Sequence, residues 1–329
     1  MSKTFIVTGA SGGIGIQIVK KLLEEGAIVV ATDIDLKSLE ELKTEFSNYK
    51  EKLLTEILDV RKPELWEKVI SLAKSQSAPF YCLINSAGVL MPGYIINTTP
   101  KDIDFHIDIN AKGIMLGSQL AAKYFVERKA GHIINIASLA GLSPVPGIAL
   151  YSASKFAVRG FTLALAMELE KYNVNVTCIC PDAVTTPMLD LQKDYEEAAL
   201  TFSGSKPLSA EEVADVVLDT IGSKKMEVTI GYSRGFQAKL AGMFPALASK
   251  IVNVSEHNFA LVGMAGVMSA IMHAPMTSIF LIAEITGGYN LLLPLIITSL
   301  TAYVVKHKFD KHSVYTYNLS LEHKLITHN

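Results

Sequence analysis

The sequence predicts a doubly wound parallel α/β sheet over residues 1–254, followed by an all-α, membrane-type helical segment over 255–329. Three observations predict it. Short β-branched runs alternate with stretches of helical spacing through the first 230 residues, the pattern of a parallel sheet covered by helices. A glycine-rich turn, "TGASGGIG" at Thr8–Gly15, joins the first such run to the first helix. Near the other end, Asn258–Val305 holds a single formally charged residue, Glu284.

The predicted strands are Thr4–Thr8, Ile28–Thr32, Leu53–Leu58, Phe80–Asn85, His132–Ala137, Val174–Cys180 and Glu227–Ile230. They read as continuous apolar runs, as strands buried on both faces do. The predicted helices are Ile14–Glu25, Leu36–Phe46, Pro63–Lys74, Asp102–Glu127, Ser152–Lys171 and Ala210–Ile221. Residues 234–253 read as an amphipathic tail helix interrupted near Pro245. Asn258–Ala283 and Ile285–Val305, 26 and 21 residues without a formal charge, are each long enough to cross a bilayer. Their Gly, Ala, Ser and Thr content and the interior Pro275 and Pro294 suit helices packed against membrane helices. The soluble alternative is a buried helical hairpin in a dimer core.

A formal net charge of −2 gives no electrostatic basis for nucleic acid as a partner. A mean hydropathy of +0.32 is high for a soluble enzyme, and the excess is concentrated after residue 257. Three cysteines, Cys82, Cys178 and Cys180, make no disulfide framework and suit a reducing, cytoplasmic setting. In a strand Cys178 and Cys180 share one face, roughly 6–7 Å apart, too far for easy bridging. The N-terminus lacks the pattern of an export signal.

Glycines between a strand and a helix let backbone N–H groups approach a pyrophosphate at the helix N-terminus. Gly9, Gly13 and Gly15, with Ser11 and Ile14 between them, supply that turn with the spacing T-G-x-x-x-G-x-G. Asp33 closes the second strand, where a carboxylate accepts from both adenosine ribose hydroxyls and repels a 2′-phosphate. No Arg or Lys lies between Thr8 and Val19, so NAD is favoured over NADP. The alternative role for Asp33 is to cap the helix near Leu36, which Asp35 also suits. Asp59 and Val60 follow the third strand as candidates for the adenine edge, and Asn85-Ser86-Ala87-Gly88 forms a second close-approach turn after the fourth.

"YSASK" sets Tyr151 and Lys155 one helical turn apart. A nearby ammonium and a helix N-terminus both favour phenolate, so the pair predicts a tyrosine acidified for proton transfer. Ser138 follows the fifth strand at a carboxyl end of the sheet, where doubly wound folds bind ligands, and Asn110 lies on the long helix after the fourth.

Through Thr8–Gly15, Asp59, Asn85–Gly88, Asn110, Ser138, Tyr151 and Lys155, in order and spacing, residues 1 to about 252 resemble the short-chain dehydrogenase/reductase family. The resemblance implies a Rossmann-type fold and an NAD(P)-dependent enzyme interconverting a secondary alcohol and a ketone by direct hydride transfer, without a metal. Tyr151 would be the general acid/base, Ser138 would orient the substrate oxygen, and Lys155 would bind the nicotinamide ribose. Asn110 would hold a relay water, and a homo-oligomer is expected. Pro181, Val184 and Thr186 would line the nicotinamide end. Two positions depart from the family pattern: Ser86 replaces its second Asn, and Asp182 replaces the Gly of Pro-Gly. Expected pocket segments are Val89–Gly93, Leu139–Gly147 and Ala183–Phe202. They offer Leu90, Met91, Leu142, Val145, Met188, Leu189 and Leu191 for a lipophilic substrate.

The run Ala274–Thr286, with Leu293–Thr298 and Tyr315, resembles the last membrane helices of the chloride channel and chloride–proton antiporter family. That family's other anion-binding loops have no counterpart in the chain. The joint near residue 254 reads as a gene fusion, a gene remnant or a sequence artefact. The competing functional expectation is an anion-transport-related fusion with a dinucleotide-sensing front half, associated with a membrane through 258–305.

Overall fold

The computed structural model describes residues 3–192, 195, 206–244, 256–285 and 292–309. The chain divides into two units, Met1–Pro245 and Ala246–Asn329.

The first unit is built on a parallel sheet of β1 (Thr4–Thr8), β2 (Ile28–Asp33), β3 (Leu53–Ile57), β4 (Phe80–Asn85), β5 (Gly131–Ile136), β6 (Val174–Cys180) and β9 (Glu227–Thr229). Its strand order is β3-β2-β1-β4-β5-β6-β9, and every pairing is parallel. The order reverses between β1 and β4, which opens a crevice at their carboxyl ends. Alternate residues of β1 feed two cores. Phe5 and Val7 pack with Ile18, Val19 and Leu22 of α1 (Gly13–Glu24) and Val213 and Val217 of α8 (Ala210–Thr220). Ile6 packs on the other face with Trp66 and Val69 of α3 (Pro63–Lys74), Phe125 of α5 (Gly113–Arg128) and Leu165 of α6 (Ala149–Leu169).

Local chemistry sets the helix starts. Asp35 caps α2 (Leu36–Glu45) through the N–H groups of Lys37 and Ser38. Thr99 and Asp102 form a capping box for α4 (Pro100–His106), as Ser209 and Glu212 do for α8. The long helix expected over Asp102–Glu127 runs instead as α4, a π-helical turn at Ile107–Lys112, and α5. That turn carries Asn110, and such turns recur at functional sites. A small parallel ladder of β7 (Val184–Thr185) and β8 (Leu208–Ser209), the short helix α7 (Pro187–Asp190), and α9 (Tyr232–Met243) complete the unit.

The second unit contains α10 (Glu256–Met272), α11 (Pro275–Ile285) and α12 (Leu292–Phe309). The expectation of membrane-spanning helices finds no support: among the described residues, no helix is long and apolar enough to cross a membrane. Asn258–Ala283 is interrupted at His273, whose φ of 54° is left-handed, and Pro275 starts a new helix there. In the second window the described helix starts only at Leu292. Its apolar part, Leu292–Val305, spans about 21 Å at ~1.5 Å per residue, short of the ~30 Å hydrocarbon core. Small residues let α10 and α12 approach closely. A Cβ on Gly266 would lie 2.8 Å from Thr298 Cγ2, and Ser269 donates to the Ser299 carbonyl at 2.6 Å.

Candidate active site

The glycine turn follows from local sterics. Gly9 has φ +61°, and a Cβ there would lie 2.8 Å from Ala87 Cα. A Cβ on Gly15 would collide with the Gly9 carbonyl oxygen, so only glycine lets α1 start this close to β1. Thr8 Oγ1 accepts from the N–H groups of Ser86 and Ala87, both at 3.1 Å, and so locks the second turn against the first. Gly12 precedes α1 with no side-chain cap, and Ile14 packs its side chain against the core. The first-turn N–H groups of α1 therefore face the crevice without a side-chain acceptor, a cradle fitted to a pyrophosphate.

Asp33 stands at the end of β2, across from this turn. Its Oδ2 accepts from Ser11 N at 3.2 Å and from Ser11 Oγ, and its Oδ1 accepts from Ile34 N at 2.8 Å. The helix cap is Asp35, so the capping role that competed for Asp33 belongs to its neighbour. Asp59 is held by Arg61, through Nε and Nη2, both at 2.8 Å, and the guanidinium keeps its carboxyl below the usual range. Val60 is buried, and its carbonyl accepts from Trp66 Nε1 at 2.9 Å. The Asn85 amide donates to Asn135 Oδ1 at 2.8 Å, which ties the carboxyl ends of β4 and β5 together.

Three of the four predicted catalytic side chains, Ser138, Tyr151 and Lys155, converge. Ser138 follows β5 and its Oγ accepts from Ala140 N at 3.1 Å; its side chain is hydrogen-bonded to that of Tyr151. Tyr151 lies in the first turn of α6. One turn on, the buried Lys155 donates to the Ile136 carbonyl at 2.9 Å, and its Nζ is 5.6 Å from the Tyr151 ring centroid. A Cβ on Gly88 would lie 3.5 Å from Lys155 Nζ and 3.3 Å from Asn110 Oδ1, so the second turn, the lysine and the π-helical turn meet at one place.

One expectation changes here. The acidified phenol is not realised in this arrangement: burial pushes Tyr151 up to about 12, and the Ser138 hydrogen bond only partly offsets it. The Lys155 ammonium is engaged by the Ile136 carbonyl, and burial draws it down to about 8. Asn110 has its side chain closed on neighbouring groups. Its Oδ1 accepts from Val89 N at 2.7 Å, and its Nδ2 donates to Val89 O at 2.9 Å and to Ser154 Oγ at 3.0 Å. It clamps the loop after β4. Below the site, the sulfurs of Cys178 and Cys180 lie 3.7 Å apart, nearer than strand spacing implies. Both remain buried thiols, and their mutual hydrogen bond with burial pushes Cys178 up.

Pro181 and Thr186 bracket the crevice. The Pro181 carbonyl accepts from Leu139 N at 2.9 Å, next to Ser138, while Thr186 Cγ2 lies 2.5 Å from where a Gly13 Cβ would be. Val184 between them is buried in the core of α1. An apolar cluster of Leu90, Ala140 and Ile148, with Val145 and Met188, packs against Tyr151. Leu142 belongs to a separate cluster with Ile114 and Val158, and Met91 and Leu191 are exposed. Of the expected segment Ala183–Phe202, residues 193–194 and 196–202 lie outside the described residues, as does Tyr315. Ile148 and Ala140 were not singled out from the sequence, although both flank motif residues. The partner of Asp182, Arg234 at 3.0 Å, carried no sequence signal at all.

Comparison with known proteins bears on the fold and the family. Residues 3–197 match the short chain dehydrogenase family model, and residues 235–307 match that of the voltage gated chloride channel. The chain is 30% identical to the 3-oxoacyl (acyl-carrier-protein) reductase FabG of Thermotoga maritima over 231 residues, 69% of this chain and 93% of the relative. It is 33% identical to the oxidoreductase UcpA of Escherichia coli over 189 residues, 57% of this chain and 72% of the relative. An actinorhodin polyketide ketoreductase solved with NADPH superposes with a TM-score of 0.64 at 26% identity, covering 70% of this chain and 95% of the other. A Burkholderia phymatum short chain dehydrogenase/reductase solved with NAD gives 0.68 at 23% identity, covering 75% and 95%. The protein belongs to the short-chain dehydrogenase family and is an NAD(P)-dependent oxidoreductase.

Proposed function

We propose that the first unit interconverts a secondary alcohol and a ketone with a lipophilic body, using NAD in preference to NADP. The observation that carries this is the meeting of Ser138, Tyr151 and Lys155 at the crevice edge, against the Leu90–Ala140–Ile148 wall. NAD, when bound, supplies hydride exchange at its nicotinamide ring.

This chain's residues do the rest. Ser138 and Tyr151, already hydrogen-bonded to each other, converge on a substrate oxygen. At neutral pH the Tyr151 phenol holds its proton and donates it to a carbonyl oxygen being reduced. Lys155, anchored at the end of β5, fixes one side of the cofactor's ribose site and adds positive charge near the developing oxyanion. Asn110 holds the Val89 loop that begins the apolar wall. Asp33 disfavours a 2′-phosphate. The names of the FabG and ketoreductase relatives also support carbonyl reduction. A homo-oligomer with a cytoplasmic first unit completes this reading.

For the second unit the favoured reading is association with a membrane surface. Val267, Ile271, Phe280 and Val304 are exposed while serines are buried, and α12 ends in Lys306, His307 and Lys308. An anion-transport role gains nothing from the three described helices. The test of the enzyme is the change in NADH absorbance with a panel of lipophilic ketones and secondary alcohols. Turnover that survives Tyr151→Phe undiminished discards the mechanism. Flotation of the full chain with anionic vesicles tests the second unit, and recovery only in the bottom fraction removes the membrane reading.

A further inference from the structure

Asp182 stands where the family pattern has glycine, and the structure shows what has been built around it. The segment that carries it bridges the two ends of the crevice. On one side the Pro181 carbonyl accepts from Leu139 N, next to Ser138; on the other Thr186 covers Gly13. This carboxylate is carried one residue after the carbonyl that meets the Ser138 loop, the end of the cleft where hydride exchange would take place. It does not stand alone. Asp182 Oδ1 accepts from Ala183 N at 2.8 Å, and its Oδ2 is paired with Arg234 Nη1 of α9 at 3.0 Å. Both side chains are largely buried.

Arg234 is firmly held. Gly231, at φ +90°, turns the chain into α9 directly beside Asp182, and a Cβ on it would lie 3.6 Å from Asp182 Cβ. Farther along α9, Lys239 pairs with Glu227 at 2.7 Å, and Glu227 also accepts from Arg159 of α6 at 2.5 Å. At its last turn, a Cβ on Gly242 would collide with the Leu142 carbonyl oxygen. The helix is therefore pressed on the Ser138 loop and keeps its guanidinium in place.

We propose that the Asp182–Arg234 pair balances charge at the nicotinamide end of the cleft and so sets the ratio of affinities for oxidised and reduced cofactor. The oxidised ring is a cation and the reduced ring is neutral. A lone carboxylate there favours the oxidised form, and the paired guanidinium offsets it. The inference rests on the dinucleotide reading above.

The test is binding of NAD+ and NADH to the full chain, by NADH fluorescence and its displacement, at low salt. Arg234→Gln should raise the preference for NAD+ over NADH by roughly three- to tenfold. Asp182→Asn should shift it the opposite way, and the double variant should return it towards wild type. A merely structural pair would weaken both nucleotides alike. The proposal is overturned if both single variants move the ratio in one direction, or if neither moves it while both nucleotides bind. Should Arg234→Gln fail to fold by circular dichroism, Asp182→Asn against the charge-retaining Arg234→Lys decides the matter. If wild type binds neither nucleotide, the cofactor reading is what fails.

Discussion

The Lys155 ammonium reaches the Ile136 carbonyl at 2.9 Å, across the base of the site, instead of the phenol one turn before it. The end of β5 thus holds the lysine, while the hydroxyl of Tyr151 is left to Ser138. Proton transfer at this site is consequently governed by burial as much as by charge.

Replacing the phenol tests the division of labour. Tyr151→Phe should lower turnover by about two to four orders of magnitude and leave NADH affinity within about twofold of wild type. Steady-state rates beside NADH fluorescence titration read both, and an equal loss of binding and turnover would refute a purely proton-transfer role.

The direction of reaction should respond to pH asymmetrically. With Tyr151 near 12, the phenol is protonated throughout the neutral range, so ketone reduction should be nearly flat from pH 6 to 8. Alcohol oxidation needs the phenolate and should climb with pH. Above about 8, Lys155 loses its charge and that climb should slacken. Oxidation rates that stay constant between pH 6 and 8 would contradict this ordering.

Cofactor choice should turn on one carboxylate. Asp33→Ser removes the charge opposite Ser11 and should raise the NADPH-to-NADH preference by about tenfold. Dissociation constants for the two reduced cofactors measure it, and an unchanged ratio would move the selectivity elsewhere.

Acid should unfold the first unit through a buried histidine. Gly222 N donates to His132 Nδ1 at 3.0 Å, so the proton is on Nε2, 2.9 Å from Thr177 Oγ1. Burial lowers this ring to about 4 from 6.5. Above pH 6.5 both folded and unfolded chains hold it neutral, and its contribution is fully present. As pH falls from 6.5 towards 4 the unfolded chain takes up a proton first, and stability should drop by about 3 kcal/mol. Urea midpoints at pH 7 and 4.5 show the loss. His132→Gln should flatten that difference, and a wild-type midpoint insensitive to pH would rule the histidine out.

Much of this was legible in the chain itself. Thr4–Thr8, Phe80–Asn85, Val174–Cys180 and Pro63–Lys74 form over their predicted residues, and the others shift by one to a few positions at their ends. The π-helical turn escaped prediction because apolar spacing continues through Ile107–Lys112 without a breaker. The expected membrane spans, which find no support among the described residues, show the opposite limit. Hydropathy counts residues but does not register that His273 turns left-handed before Pro275.

By itself the sequence determined the strand–helix alternation, the glycine turn, and the one-turn spacing of Tyr151 and Lys155, because each depends on near neighbours in the chain. The tertiary structure alone decided which groups face one another. It set Arg234 against Asp182, closed Asn110 on Val89, and desolvated the Tyr151 hydroxyl enough to reverse its expected shift. Charge pairing and desolvation depend on what is packed around a group, and packing joins residues that the sequence keeps far apart.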